Sequence, residues 1–511
     1  MRGVVAAGHL LTAEAGADVL RGGGNAVDAA VAAVLMFFVT ESPLTGPGAG
    51  GFMLVHDPAG ENVLLDFFVA APGLGRPDAP PGEFEAIDIR FSDDVIQRFH
   101  IGCASNGVYG TPAGLADALE RFGTVSLGDV VGRPARAARD GVEVTPMQAH
   151  MLQVLGPILR SRPEGRAIYE RDGELLTAGD QVRLPELGDL LERLGSEGPG
   201  FLYDGDVAAA VSDWVLGHGG LLTRDDLRSY GVIDRPPARA RYHGREVLTN
   251  PPPSSGGILI AYSLDLLERL PRKSGSADEV RALVEVMDRT NRARTEEFAA
   301  GLHSEGYLER LLAKDAMESV ATEVRGRLGS TTHIAVLDAA GTCATVTCSN
   351  GSGSGVIVPG TGLHLNNMLG EEDLNPLGHH RHEPGARIPS MMAPTVVLRD
   401  GEVQVGLGSA GSNRIRSAVL QTIVGIVDHG LSAEEAVRAD RLHFEQGLVD
   451  AEPGVDPDGL DALERDGFRV QRWAERNLFF GGAQAVARDP ESGALSGGGD
   501  PRRGGVAVVV D

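Results

Sequence analysis

Gly329-Ser330-Thr331-Thr332-His333 opens the strand-rich C-terminal part of the chain. Taken alone it is a pair of threonines at the start of a strand, and threonine favours strands in any case. The same residues have a sharper reading. A threonine made N-terminal by cleavage carries a hydroxyl and an α-amine on one carbon framework. The amine, with a pKa of roughly 7.7–8 before burial, accepts the hydroxyl proton at neutral pH. One residue then supplies nucleophile and base, provided the bond between Ser330 and Thr331 is cut.

Downstream, His333 to Leu337 and Cys343 to Cys348 read as a hairpin across Asp338-Ala339-Ala340-Gly341. Further strands are expected at 394–399, 403–407, 441–450, 483–488 and 505–510, with helices at 413–428 and 433–439. Upstream, 113 to about 320 reads as mostly helical, with helices at 113–122, 127–139, 145–157, 206–217, 255–268, 278–298 and 304–316. Residues 73–105 read as irregular and acidic. Phe52 to Val55 and Asn62 to Phe67 form two strands joined by a turn at Asp57-Pro58-Ala59-Gly60. Leu11 to Arg21 is a helix capped by Thr12 and ended by Gly22-Gly23-Gly24. Asn25 to Val39 is a helix apolar on nearly all sides, which places it in the core. Adjacent strands mixed with runs of helices imply sheets layered between helices, and pattern alone leaves α+β and α/β both open.

Composition narrows the function classes. The chain has 511 residues, 42% hydrophobic, enough for a sizeable core, and a net charge of −25. Such a charge disfavours nucleic acid and anionic membranes as partners, because both are recognised by Lys and Arg. The only lysines are Lys273 and Lys314. Three cysteines make no disulfide framework, and there is no CxxC. Cys343 and Cys348 are five apart, so on one strand they face opposite sides. The longest apolar run, Ala29 to Val39, is too short to span a bilayer. The start of the chain carries no signal-peptide pattern, so the expectation is a cytoplasmic protein.

Two motifs point to cofactors and fall short. Gly46-Pro47-Gly48-Ala49-Gly50-Gly51 satisfies GxGxxG, but a buried helix precedes it and a strand follows. The dinucleotide fingerprint needs the reverse, so the loop reads as a tight backbone turn near an active site. His379-His380-Arg381-His382 sits in a polar loop bounded by Pro and Gly, and consecutive histidines point in different directions. It reads as solvated surface. No metal and no cofactor are expected.

The wider text moves the threonine reading past the bland one. Thr331-Thr332-His333, Thr345-Val346-Thr347, Gly362-Leu363-His364-Leu365-Asn366-Asn367-Met368, Ser390-Met391-Met392-Ala393-Pro394-Thr395 and Gly408-Ser409-Ala410-Gly411-Ser412-Asn413-Arg414-Ile415 together resemble the small subunit of γ-glutamyltranspeptidases, also called glutathione hydrolases. Gly22-Gly23-Gly24-Asn25-Ala26-Val27-Asp28-Ala29-Ala30-Val31, Glu41-Ser42-Pro43 with the glycine loop, and Gly110-Thr111-Pro112-Ala113 resemble the large subunit. The motifs keep the family order from about residue 4 to the end of the chain.

The resemblance implies an α+β, four-layer αββα N-terminal nucleophile hydrolase. Such a precursor would cut itself into 1–330 and 331–511, which stay together as a heterodimer forming one αββα domain; further homo-oligomerisation is left open. Ser330, Thr331 and Thr332 would form the processing site, and Thr331 the catalytic nucleophile. Ser349 takes the place of a threonine hydroxyl that orients the nucleophile. Asn350 or Gly351 falls where an asparagine contacts substrate. Gly411 and Ser412 stand at the paired glycines of the oxyanion hole, where losing one donor costs on the order of 10²–10³ in rate.

Departures from the family pattern fall on the glutamyl clamp. Phe68, within Asp66-Phe67-Phe68-Val69-Ala70-Ala71-Pro72, replaces the arginine that grips the α-carboxylate. A ring cannot supply that bidentate cation. Glu371 aligns with the aspartate that binds the α-amine, and Ser390-Met391 replaces a serine pair. Arg387 and Arg414 are candidates for a substitute cation. The expected activity is therefore acyl transfer from an amide, γ-glutamyl or other, through Thr331 to water or an amine. An acylated amine, an oxamate-like amide, a β-lactam side chain and a γ-linked peptide all stay open as donors. A non-cleaving binding scaffold of the same fold, and an oxidoreductase using the glycine loop, are the competing readings.

Overall fold

The computed structural model describes residues 1–76, 79–90, 96–270, 275–304, 306–307, 310–311 and 331–511. Two antiparallel sheets lie face to face between helical layers. The seven-stranded sheet runs Ile233–Arg235, Asn62–Phe67, Gly50–His56, Cys343–Ser349, Thr332–Asp338, Gly3–Ala7, Val506–Val510. The six-stranded sheet runs Ala238–Tyr242, Arg245–Thr249, Thr395–Arg399, Glu402–Gly408, Gln484–Arg488, Leu495–Gly499.

Period-2 alternation builds the layers. Val4 and Ala6 face the inter-sheet core with Phe52, Leu54, Ala335 and Val486. Val5 and Ala7 face the other way, into a core shared with Val34, Phe37 and Val336. On the far side of the six-stranded sheet, Val397 and Val405 pack with Leu259, Val284 and Val419. The expected four-layer αββα arrangement is thus the fold of the chain. Cys343 belongs to the inter-sheet core and Cys348 to the outer one, opposite faces as their spacing requires.

The core helix spans Ala26–Thr40 and every one of its residues is buried. Asn25 caps it, and Asp28 completes a capping box. The neighbouring helix, Leu10–Arg21, is capped by His9 rather than Thr12. Thr12 lies inside the helix, where its hydroxyl meets that of Thr40 at 2.8 Å.

Elsewhere the structure corrects the local reading. Residues 73–105 are not all irregular: Glu85–Arg90 and Ile96–Ile101 pair as a hairpin. Among the described residues, the run from 113 to about 320 is interrupted by seven strands, four of them only two residues long; Ala238–Tyr242 and Arg245–Thr249 form the edge of the six-stranded sheet. The expected helix 278–298 is two, Ala277–Arg292 and Glu296–Gly301, because the Thr295 side chain accepts from the Phe298 N–H and starts a new helix. Most of the expected helix 304–316 lies outside the described residues. The expected strand 441–450 is a hairpin, Leu442–Glu445 with Leu448–Ala451, turning at Gln446 (φ +52°) and Gly447 (φ +74°). Among the described residues no helix is long and apolar enough to cross a membrane.

Candidate active site

Register brings the candidate nucleophile to its partner. In the hairpin, Thr332 faces Cys348 and Leu337 faces Cys343. One step further along the ladder sets Thr331 against Ser349. Ser349 also faces Gly50 on the next strand, where the glycine loop ends. A Cβ at Gly48 would come within 2.2 Å of the His364 carbonyl oxygen, and one at Gly51 within 2.4 Å of the Thr347 oxygen. The glycine loop is thus a place of close backbone approach beside Thr331, as its context in the sequence implied. Asn366 fastens it: its Nδ2 donates to the carbonyls of Gly48 (2.9 Å) and Gly107 (3.0 Å).

A small pocket, partly open to solvent, opens onto Thr331. Ser349, Gly351, Glu371, Asp373, Ser390 and Ser412 supply its polar groups. Phe68, Met368, Leu374, Met391, Met392 and Ile415 supply an apolar wall. Of the residues singled out from sequence, Thr331, Ser349, Ser412, Glu371, Ser390, Met391 and Phe68 therefore converge. Asn350 does not line the pocket. Its N–H donates to the Leu44 carbonyl (3.0 Å), and its neighbour Gly351 (φ +72°) takes the place at the pocket wall. Thr332 is buried in the strand, Gly411 does not line the pocket, and Ser330 lies outside the described residues.

Ser412 sits at the turn between Glu402–Gly408 and the helix Arg414–Val427, with Gly411 at φ +118° and Ser412 at φ +51°. The Ser412 carbonyl already accepts from Ile415 (3.0 Å), so the two residues stand at the positive end of that helix. The Ser412 hydroxyl donates to Asp373. That bond is a sequel to replacing glycine by serine that the sequence alone does not disclose.

The electrostatics of the pocket are acidic. Glu371 accepts from the Ser352 N–H at 2.9 Å. Burial, reinforced by the charge of Asp373, pushes its carboxyl up to about 7. Neither candidate substitute cation reaches in. Arg387 is committed to Asp66 (3.2 Å) and the Gly231 carbonyl (2.5 Å), and lies 4.4 Å over the Tyr230 ring. Arg414 is buried below the turn, 4.9 Å over the Phe479 ring, and burial pulls its guanidinium down to about 10. Among the described residues the pocket wall holds no arginine or lysine. The nearby His333 is no base: its Nδ1 meets the Thr347 hydroxyl at 2.8 Å, and burial pushes it down to about 3.

Sequence reasoning missed Met368, Asp373, Leu374, Met392 and Ile415 in the wall, and also Arg503. Arg503 reaches from the other side of the strand, and its Nη1 donates to the Thr331 carbonyl at 3.3 Å. Beside it stands Glu41, whose Oε1 is shut from solvent with no partner among the described residues. Burial, only partly offset by Arg503, pushes the Glu41 carboxyl up to about 8. The Asp-Pro-Arg-Arg run at 500–503 was a visible signal that carried no motif reading.

Comparison with known proteins adds a second line. A family model described as "Gamma-glutamyltranspeptidase" matches residues 12–510. A glutathione hydrolase proenzyme of Escherichia coli (strain K12) is 32% identical over 98% of this chain and 90% of that protein. An Acylase ACY 1 proenzyme of Pseudomonas sp. (strain V22) is 32% identical over 100% of this chain and 94% of that protein. A crystal structure of cephalosporin acylase from Bacillus halodurans superposes with a TM-score of 0.84 at 24% identity, covering 99% of this chain and 95% of that one, which speaks to the fold alone.

Proposed function

The chain belongs to the gamma-glutamyltranspeptidase family, and on that premise we propose that Thr331 is the nucleophile of a self-processing amidohydrolase whose acyl pocket prefers an apolar acyl group without an α-carboxylate. The carrying observation is the pocket wall. Six apolar side chains and two carboxyls line it and, among the described residues, no cation to pair an α-carboxylate. A substrate carboxylate placed against the carboxyls of Glu371 and Asp373 finds no counter-charge in the wall. The acyl chains of amide donors meet Phe68, Met391 and Ile415 instead. Relatives at 32% identity are named acylase proenzymes as well as glutathione hydrolase proenzymes, which leaves acyl groups other than γ-glutamyl open.

The chemistry follows from the residues in reach. In the precursor, the Thr331 hydroxyl attacks the Ser330 carbonyl, the peptide bond becomes an ester, and water cleaves it. The products are fragments 1–330 and 331–511, and a free α-amine on Thr331. In turnover, the Thr331 Oγ attacks the amide carbonyl while that amine takes the proton. The N–H groups of Gly411 and Ser412, at the helix start, meet the oxyanion. The amine leaves with the proton, and water or a second amine releases the acyl group from the ester. Ser349, facing Thr331 across the ladder, orients its hydroxyl.

The test has two parts. Intact mass and N-terminal sequencing of the purified protein should give two fragments, one beginning Thr331-Thr332-His333, and Thr331→Ala should stay whole and inactive. A single uncut wild-type chain would return the reading to a binding scaffold. Apolar acyl p-nitroanilides should then exceed γ-glutamyl-p-nitroanilide in kcat/KM by at least tenfold; the reverse order would refute the pocket preference and leave the nucleophile standing.

A further inference from the structure

The histidine run at 379–382 enters neither the acyl pocket nor the acyl-transfer chemistry, yet the fold takes one member of it to an unexpected place. His379 stands beside His100, from the hairpin strand Ile96–Ile101, and Glu372, from the short turn Glu372–Leu374. One nitrogen or oxygen of each lies within 4.8 Å of the others. All three are half-buried. The two imidazoles meet edge to face at 5.0 Å, and Phe84 packs on both, at 5.1 and 5.0 Å.

Both rings are oriented by backbone carbonyls. His379 Nδ1 lies 3.0 Å from the Leu369 oxygen, and His100 Nδ1 lies 3.3 Å from the Gly370 oxygen. With Nδ1–H donating there, Nε2 of each ring carries the lone pair. A carbonyl on the far nitrogen is the arrangement that ligating histidines use to fix tautomer and direction. The frame beneath is tight. Asn367 Nδ2 donates to the His100 carbonyl at 3.4 Å, and a Cβ at Gly370 would come within 2.3 Å of that same oxygen. Asn375 closes the turn by donating to the carbonyls of Met368 (3.0 Å) and Glu371 (2.8 Å).

From this geometry we propose that His100, Glu372 and His379 bind one divalent ion of the zinc type. Two imidazole nitrogens and one carboxylate oxygen are a donor set that suits zinc, cobalt or nickel, and disfavours magnesium and calcium, which want oxygens. Water completes the coordination. The ion does not enter acyl transfer. Glu372 lies between Glu371 and Asp373, both in the pocket wall, so an ion on Glu372 ties the turn that carries them to the 85–101 hairpin. Its role is to stiffen that side of the acyl pocket. The other histidines of the run do not join the site and are half-buried rather than the solvated surface expected of the run: His380 stacks on Phe84 at 4.7 Å, and His382 packs toward His303 at 6.5 Å.

The experiment titrates Co²⁺ into the full protein, prepared without a histidine tag and freed of metal by chelation. The expected result is visible d–d absorption that saturates at one equivalent, is displaced by Zn²⁺, and is untouched by excess Mg²⁺. Glu372→Gln and His379→Ala should each weaken binding at least tenfold, and His382→Ala should leave it unchanged. Amide hydrogen exchange over 368–375 should slow when Zn²⁺ binds. Absence of saturable binding in the wild type would overturn the site, as would equal affinity in the two ligand variants when their thermal unfolding matches the wild type. Unchanged exchange with bound zinc would overturn the clamp.

Discussion

Arg503 is the residue whose role depends most on tertiary contact. It holds the backbone carbonyl of Thr331, the proposed nucleophile. Losing that hydrogen bond lets the nucleophile turn about its backbone. Arg503→Gln should slow fragment formation by about tenfold, the effect of one hydrogen bond of about 1.4 kcal/mol, as followed by gel densitometry of freshly made precursor. Glu41, its neighbour, gives a pH signature. Its carboxyl is raised from 4.5 to about 8 in the folded chain, so between those values the folded chain holds a proton that the unfolded chain has lost. Its contribution to stability is therefore whole below pH 4.5, falls as pH rises, and is flat again above about 8. Glu41→Gln should remove that part of the decline, seen as a smaller drop in Tm between about pH 5 and about pH 8. The candidate centre itself was legible at this scale: Thr331, Ser349, Glu371 and Ser412 were named from sequence and line one pocket. Arg503 and Asp373 were not, because a contact made from another part of the chain leaves no local spacing to read.

At the scale of elements, the hairpin 332–349 and the glycine loop carry the site. The hairpin was readable because its two strands are β-branched and apolar and its turn is Asp-Ala-Ala-Gly. Its register then opposes Thr331 and Ser349 by arithmetic alone. The glycine loop was readable as a close approach, though not what it approaches. Gly48→Ala would set a methyl group 2.2 Å from the His364 backbone oxygen, so the loop has to move. We expect a loss of about 1–3 kcal/mol, read as a lower Tm, together with a lower kcat because Gly50 lies across from Ser349. Strands that escaped notice failed for a physical reason. Leu495–Gly499 reads Leu-Ser-Gly-Gly-Gly, poor in strand formers, because a Cβ at Gly497 would touch Ala507 at 2.8 Å and one at Gly498 the Ala433 oxygen at 2.5 Å. Packing from outside, not strand propensity, chose those residues. The 85–101 hairpin does alternate, as Ile87-Asp88-Ile89-Arg90 and Phe99-His100-Ile101, and Ile89, Phe99 and Ile101 enter the core; the runs are short and set among acidic and loop-forming residues, which masks them in the sequence.

At the scale of the molecule, the two sides of the Ser330–Thr331 bond are interleaved. In the seven-stranded sheet, Gly3–Ala7 lies between Thr332–Asp338 and Val506–Val510, while Gly50–His56 pairs with Cys343–Ser349. In the six-stranded sheet Arg245–Thr249 pairs with Thr395–Arg399. Cutting the chain therefore leaves the ladders and the inter-sheet core continuous across the break. The fragments should elute as one particle of 53.5 kDa or a multiple of it under native conditions, and separate only in denaturant. Their separation in mild buffer would contradict the shared sheet. Residue type and order along the chain were enough for the family and the layered class, and they nominated Thr331 as nucleophile and Phe68 in place of a carboxylate-gripping arginine. Only the tertiary structure decided that Arg387 and Arg414 are spent elsewhere, that the pocket is apolar and acidic, and that His100, Glu372 and His379 meet. Those facts depend on side chains brought together from segments tens to hundreds of residues apart, and such distances have no trace in local pattern.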